Sequence, residues 1–172
     1  MLLAGALGTV RQVVTSPATR ATQTAARLVT PNAMVTDMRL AEMRFGAWEG
    51  QRVCDLATTG TYQSWARDPL LLRAPHGEAG EAVLARALAA LTGYGTPGGL
   101  VAIVSHKHLI RLVTAYAAGL PLGRYREISA PVSSVTRIGA GPSGLSLVRA
   151  ASVEHLPPAW RPDPDHVRSG AG

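Results

Sequence analysis

Apolar residues arrive along this chain in short blocks separated by longer amphipathic stretches, as when buried strands alternate with covering helices. Residues 10–15 and 100–105 are compact apolar runs, and each feeds a helix-forming segment, at 18–29 and 107–118. A helix over 2–8 precedes them, a short strand is predicted at 33–37, and helical material at about 51–66. A helix over 78–94 follows, with Ala82, Leu84, Leu88 and Leu91 at helical spacing. Gly119-Leu120-Pro121 stops the helix of 107–118. This order predicts an α/β fold, a three-layer, mostly parallel sheet flanked by helices. Val135-Thr136-Arg137-Ile138 and Leu145-Ser146-Leu147-Val148 instead alternate with the period of half-buried strands around a loop at 139–144, predicting a C-terminal hairpin. Beyond 152 the prolines and the closing Ser169-Gly170-Ala171-Gly172 predict an extended or disordered tail, so the organisation expected is one domain over 1–151 and a tail over 152–172.

Three segments carry chemistry. Val13-Val14-Thr15-Ser16-Pro17-Ala18-Thr19-Arg20 reads as a buried strand turning into a helix, with Ser16 as the cap and Pro17 at the first helical position. Arg20 then falls near the positive end of that helix, where its planar fork is suited to two phosphate oxygens, although a solvated helix face would equally hold an arginine. Residues 40–50 form a loop-like run with two glycines, two carboxylates (Glu42 and Glu49) and two aromatics (Phe45 and Trp48). Val101-Ala102-Ile103-Val104-Ser105-His106 is an apolar strand ending in Ser-His, at the sheet edge where α/β proteins place ligands. A cation, a carboxylic acid and an imidazole are thereby offered to one site.

The order and wording of these segments resemble the histidine phosphatase superfamily, whose fold is phosphoglycerate mutase-like. The family's Ser-Pro-x-x-Arg-Ala-x-x-Thr-Ala is matched by residues 16–25, its Leu-x-Glu-x-x-Phe-Gly-x-Trp-Glu-Gly by residues 40–50, and its Ser-His with a following Ile-Arg by residues 105–111. The resemblance implies that Arg20 clamps phosphate, that Glu42 is the general acid for the leaving oxygen, and that His106 stabilises the transferring phosphoryl group. Preorganised cations and donors stabilise charge spread over three equatorial oxygens. Lys107 stands where many relatives have glycine; its backbone N–H is available to phosphate while its side chain is expected in solvent. The implied activity is hydrolysis of a small phosphate monoester, with a small phosphorylated metabolite as partner and no cofactor or metal. The short helical segment between Gly50 and His76 favours hydrolysis over mutase-type phosphotransfer.

One family element has no counterpart. The family opens on a strand ending in Arg-His-Gly, whose histidine becomes the phosphohistidine, and no Arg-His-Gly occurs in these 172 residues. The first strand of the family sheet is thus expected to be missing, leaving backbone groups of its neighbours to be satisfied by another segment, by assembly with a partner such as a second copy, or by chain upstream of Met1. A catalytically inactive remnant that binds phosphate or a partner is the competing reading. His76, in a segment resembling the family's active-site rim, is read as a solvated loop histidine; His108 is expected to point away from the site; His155 and His166 fall in the tail. Glu49 is expected to tie down its loop, and Phe45 and Trp48 to pack it.

Composition narrows the setting. A hydrophobic content of 47% supports a core, and no apolar run approaches the ~18 residues of a membrane span. No signal peptide is read at the N-terminus. Cys54 is the single cysteine, which fits a reducing cytoplasm and, in helical surroundings, a packed thiol. The net charge is +6, and all but one of the 17 Lys and Arg residues are arginine. They are spread singly, without the basic runs or aromatic interleaving of a nucleic-acid binder, and are read mainly as solvated surface.

Overall fold

The computed structural model describes residues 7, 9–28, 33–95 and 99–162. Three parallel strands, β1 (Gln12–Thr15), β2 (Met34–Thr36) and β3 (Val101–Val104), form a sheet in the order β2-β1-β3. Its centre is buried on both faces. Val13 and Ala102 pack with Ala25 of α1 (Thr19–Ala25), whereas Val14 on the opposite side packs with Leu40 and with Ala90 of α4 (Gly80–Tyr94). Alternating strand side chains therefore each find a helical layer, the arrangement expected of the sequence.

The largest core cluster lies beyond that sheet. It joins α4 to α5 (Lys107–Ala117), to two short helices, α2 (Val53–Leu56) and α3 (Gly60–Arg67), and to the Trp48 loop, with Trp65, Leu109, Leu112 and Tyr125 at its centre. On α4 the buried face is Val83, Leu84, Ala87 and Ala90, and Ala82 is exposed rather than inward as the helical spacing suggests. Gly119, at φ +65°, ends α5 in the predicted place: its N–H bonds the Tyr116 carbonyl and the Leu120 N–H reaches back to Ala115.

β4 (Val135–Gly141) and β5 (Gly144–Ser152) form the expected antiparallel hairpin as a separate two-stranded sheet. The strands run further than the alternation indicates, so only Pro142 and Ser143 turn the chain instead of a loop over 139–144. Among the described residues β3 pairs with β1 alone. Of the predicted helix over 2–8 only residue 7 is described, in helical conformation, and the end of the tail, including His166, lies outside the described residues.

Candidate functional site

At the carboxyl edge of the sheet, β1 and β3 end side by side, with the Ser16 N–H on the Val104 carbonyl at 2.9 Å. This pairing fixes the two residues that follow. Ser16 and His106 are both buried, and His106 Nε2 lies 2.7 Å from Ser16 Oγ. Ser16 is consequently not the helix cap that its sequence position suggests; Ala18 occupies that place, and the Ser16 hydroxyl is engaged by the imidazole. Arg20, in the first turn of α1, brings Nη2 to 3.0 Å from His106 Nδ1. A guanidinium only donates, so Nδ1 is the acceptor, Nε2 carries the proton, and the imidazole is neutral. Burial, followed by the Arg20 charge, pushes His106 below the usual histidine range against the opposing pull of Glu42.

Glu42 is held by its own loop. The Met43 N–H donates to its Oε1 at 2.9 Å, and the Glu42 carbonyl is gripped by Arg86 of α4 at 3.1 Å. Arg86 also bonds the Arg39 and Ala41 carbonyls and both oxygens of Glu78, so a single side chain sets the backbone path into the site. Ser105 completes the brace, its hydroxyl donating to the Leu40 carbonyl at 2.8 Å. Further along, Glu49 accepts from the Phe45 and Gly46 N–H groups, as expected of a residue that ties down its loop. Trp48 and Phe45 pack around Trp65, also as expected. At Gly46 the backbone is at φ +52°, and a Cβ would meet the Pro75 carbonyl oxygen 2.2 Å away, so only glycine lets this loop dock on residues 74–78.

His108 departs from its expected direction. Its Nδ1 is 3.5 Å from Glu42 Oε2, and its ring stands edge-on to Phe45 at 4.9 Å. Burial by itself would raise the Glu42 carboxyl; the His108 contact and the Met43 N–H outweigh it and hold the group below the usual carboxylate range. Residues 107 and 108 open a helix, and that geometry turns His108 toward the Glu42 loop, a contact between distant segments with no local signature.

Lys107 begins α5 immediately after His106, among the helix's first N–H groups. Its side chain is half-buried rather than fully in solvent, in the fields of Arg111, Arg126 and Glu42. Arg20, Glu42, His106 and Lys107 therefore gather at one rim, joined by Ser16, expected only to cap a helix, and by His108, expected to point away. Elsewhere, His76 is exposed as expected. Cys54 is also exposed, not packed, because α2 is a single short turn that buries only Leu56. His155 is half-buried with its Nε2 enclosed. Among the described residues no group of three or more His, Cys, Asp or Glu side chains is placed to hold a metal ion, and no helix is long and apolar enough to cross a membrane.

Cations, a carboxylate and an imidazole thus meet at the carboxyl edge of a parallel sheet, the edge at which open α/β sheets place their ligands. The chain is a member of the histidine phosphatase superfamily (branch 1), whose family model matches residues 2–152. Among solved structures it is similar to YhfR of Bacillus stearothermophilus, at 25% identity and a TM-score of 0.76 over 90% of this chain and 81% of that one. It is similar also to the alpha-ribazole phosphatase of Shigella flexneri, at 25% identity and a TM-score of 0.70 over 88% and 79% of the two chains. A mycobacterial glucosyl-3-phosphoglycerate phosphatase complexed with VO3 matches at 28% identity and a TM-score of 0.71, over 87% and 81%. No curated protein matches the chain.

Proposed function

We propose that the complete protein is a phosphatase that hydrolyses a small phosphate monoester through a phosphohistidine, in a cytoplasmic setting, and that this chain supplies its phosphate clamp, acid and second histidine. The observation that carries this reading is the contact of Arg20 with His106, 3.0 Å across a sequence separation of 86 residues. Phosphatase relatives support the reaction class. In the reaction, a histidine nitrogen outside these residues bonds to phosphorus as the ester P–O bond breaks and Glu42 gives its proton to the departing oxygen; water then gives a proton back to the Glu42 carboxylate and bonds to phosphorus as the P–N bond breaks, releasing phosphate and the free histidine. Arg20 and the first N–H groups of α5 offset the oxyanion charge. His106 donates to a phosphoryl oxygen once its ring is released from Ser16.

Glu42 stands ionised beside His108, whereas an acid needs its proton. A phosphate dianion arriving within a few ångströms reverses that balance, because two negative charges favour the protonated carboxyl. The sequence without Arg-His-Gly favours a second reading, a phosphate-binding protein without turnover. Ser16 does not replace the nucleophile, since the His106 tautomer set by Arg20 donates to its hydroxyl and removes no proton from it.

Steady-state hydrolysis of an aryl phosphate by the 172-residue chain sets the baseline, and the same assay on a chain extended upstream, with and without His106→Ala, separates the two. An upstream extension restoring Arg-His-Gly is expected to raise turnover by orders of magnitude in a His106-dependent way. If the extended protein binds phosphate and hydrolyses nothing, the second reading stands.

A further inference from the structure

His108 has no part in the phosphate clamp, yet it is held against the acid. It is the second residue of α5, and its Nδ1 is enclosed without a hydrogen bond of its own, 3.5 Å from Glu42 Oε2. The ring has little freedom to turn away. Phe45 stands edge-on to it at 4.9 Å, and Tyr125, itself fully buried, at 6.3 Å. The other carboxyl oxygen, Oε1, accepts the Met43 N–H at 2.9 Å. Each oxygen of Glu42 therefore faces a different group, the backbone on one side and the imidazole on the other. An ionised carboxylate only accepts, so Nδ1 is the ring nitrogen that carries hydrogen while Glu42 is charged.

An acid that works twice in one turnover needs two protonation states within reach. Glu42 must hold a proton when the leaving oxygen departs and must be a carboxylate when water attacks. We propose, resting on the phosphatase reading above, that His108 is a positioning residue for Glu42: its Nδ1–H fixes Oε2 and favours the carboxylate, so that Glu42 takes a proton from solvent only beside a phosphate dianion and is a carboxylate again for the water step. The imidazole keeps its own hydrogen throughout. The preference arises because a hydrogen bond to an ionised acceptor is roughly twice as strong as one to a neutral acceptor, and longer contacts at such sites tighten when a ligand arrives. In keeping with it, the Glu42 carboxyl, which burial alone would raise, lies below its usual range, and His108 is the largest influence in that direction. Glu42 also shares fields with His106, Lys107 and Arg111 of α5 and with Tyr125, and Arg86 of α4 grips its carbonyl. Arg20 and Arg126 act on these in turn. All of them remain when His108 is replaced.

Orthophosphate affinity of the unsubstituted chain and of His108→Phe, followed from neutral pH down to the ordinary carboxylate value of 4.5, tests this. In the ratio of the two affinities the ligand's own titration cancels. His108→Phe keeps an aromatic ring against Phe45 and Tyr125 but has no donor. It should bind orthophosphate up to about tenfold more tightly at neutral pH, since the carboxyl beside the anion is then protonated at less cost, and the ratio should close toward one as pH falls. His108→Asn, whose amide N–H can stand where Nδ1 stands, should return most of the original profile. In Glu42→Gln, which cannot ionise, adding His108→Phe should change nothing. A ratio of one at every pH refutes the role of His108 and leaves the phosphate site standing. A variant that binds more weakly, with a gap widening toward acid, makes the imidazole a cation of the phosphate site and also refutes it. If orthophosphate does not bind to the unsubstituted chain, both readings fall. Where a variant does not fold, the ring-nitrogen NMR signals of His108 in the unsubstituted chain decide: they should move as orthophosphate is added, and signals that stay fixed refute the coupling.

Discussion

Two arginine environments lie close together in this molecule and are opposite in kind. Arg86 makes five hydrogen bonds, to three loop carbonyls and to both oxygens of Glu78. Across the site, Arg20 rests on a neutral imidazole and Arg111 is enclosed with its Nε unpaired. The first environment is closed and complete. The second holds positive charge with no carboxylate paired to it among the described residues, and at the buried Arg111 this carries a cost in stability. The contrast separates an arginine that braces the fold from arginines that do not, a distinction invisible in a composition where arginines are spread singly along the chain.

Such a division implies unequal sensitivity to mutation. Arg86→Ala should cost the most, about 3 kcal/mol in denaturant unfolding, because three carbonyls and the Glu78 carboxylate lose their donor together. Gly46→Ala comes next, at about 2 kcal/mol by the same measurement, since the φ of +52° and the 2.2 Å approach to Pro75 both resist a Cβ. Ser16→Ala removes the acceptor for His106 and is expected to cost about 1 kcal/mol, leaving the fold intact by circular dichroism. Equal losses at Arg86 and Ser16 would erase the proposed distinction between brace and binding face.

The smallest effect concerns pH. His106, held below its ordinary 6.5, takes up a proton less readily in the folded chain than in the unfolded one. Stability should therefore fall as pH drops through 6.5 toward the lower folded value, and His106→Gln should flatten that part of the profile. Glu42 acts in the same sense at lower pH: its contribution is present above 4.5 and is lost as pH falls through the depressed folded value. Thermal unfolding midpoints across this range measure both.

Much of the fold is legible in the sequence because its signals are local. Apolar runs mark β1 and β3, Gly119 marks the end of α5, and Glu49 sits at the spacing that lets it cap its own loop. The site is less so, since what decides it is tertiary. Ser16 has the composition of a cap, yet its hydroxyl is taken by an imidazole 90 residues away. His108 follows a site histidine by two positions and is turned toward Glu42 by the first turn of α5. Arg86 has nothing in its surroundings to announce that it braces the Glu42 loop, and Cys54 lies in a helix too short to bury it.

If Arg20, Glu42 and His106 surround one phosphate position, phosphate must stabilise the folded chain through Arg20. The thermal unfolding midpoints of the chain and of Arg20→Ala, in millimolar orthophosphate against chloride at equal ionic strength, measure this without any assumption about turnover. A rise of several degrees is expected for the unsubstituted chain and almost none for Arg20→Ala. An identical rise in both proteins, or none in either, would contradict a shared phosphate position.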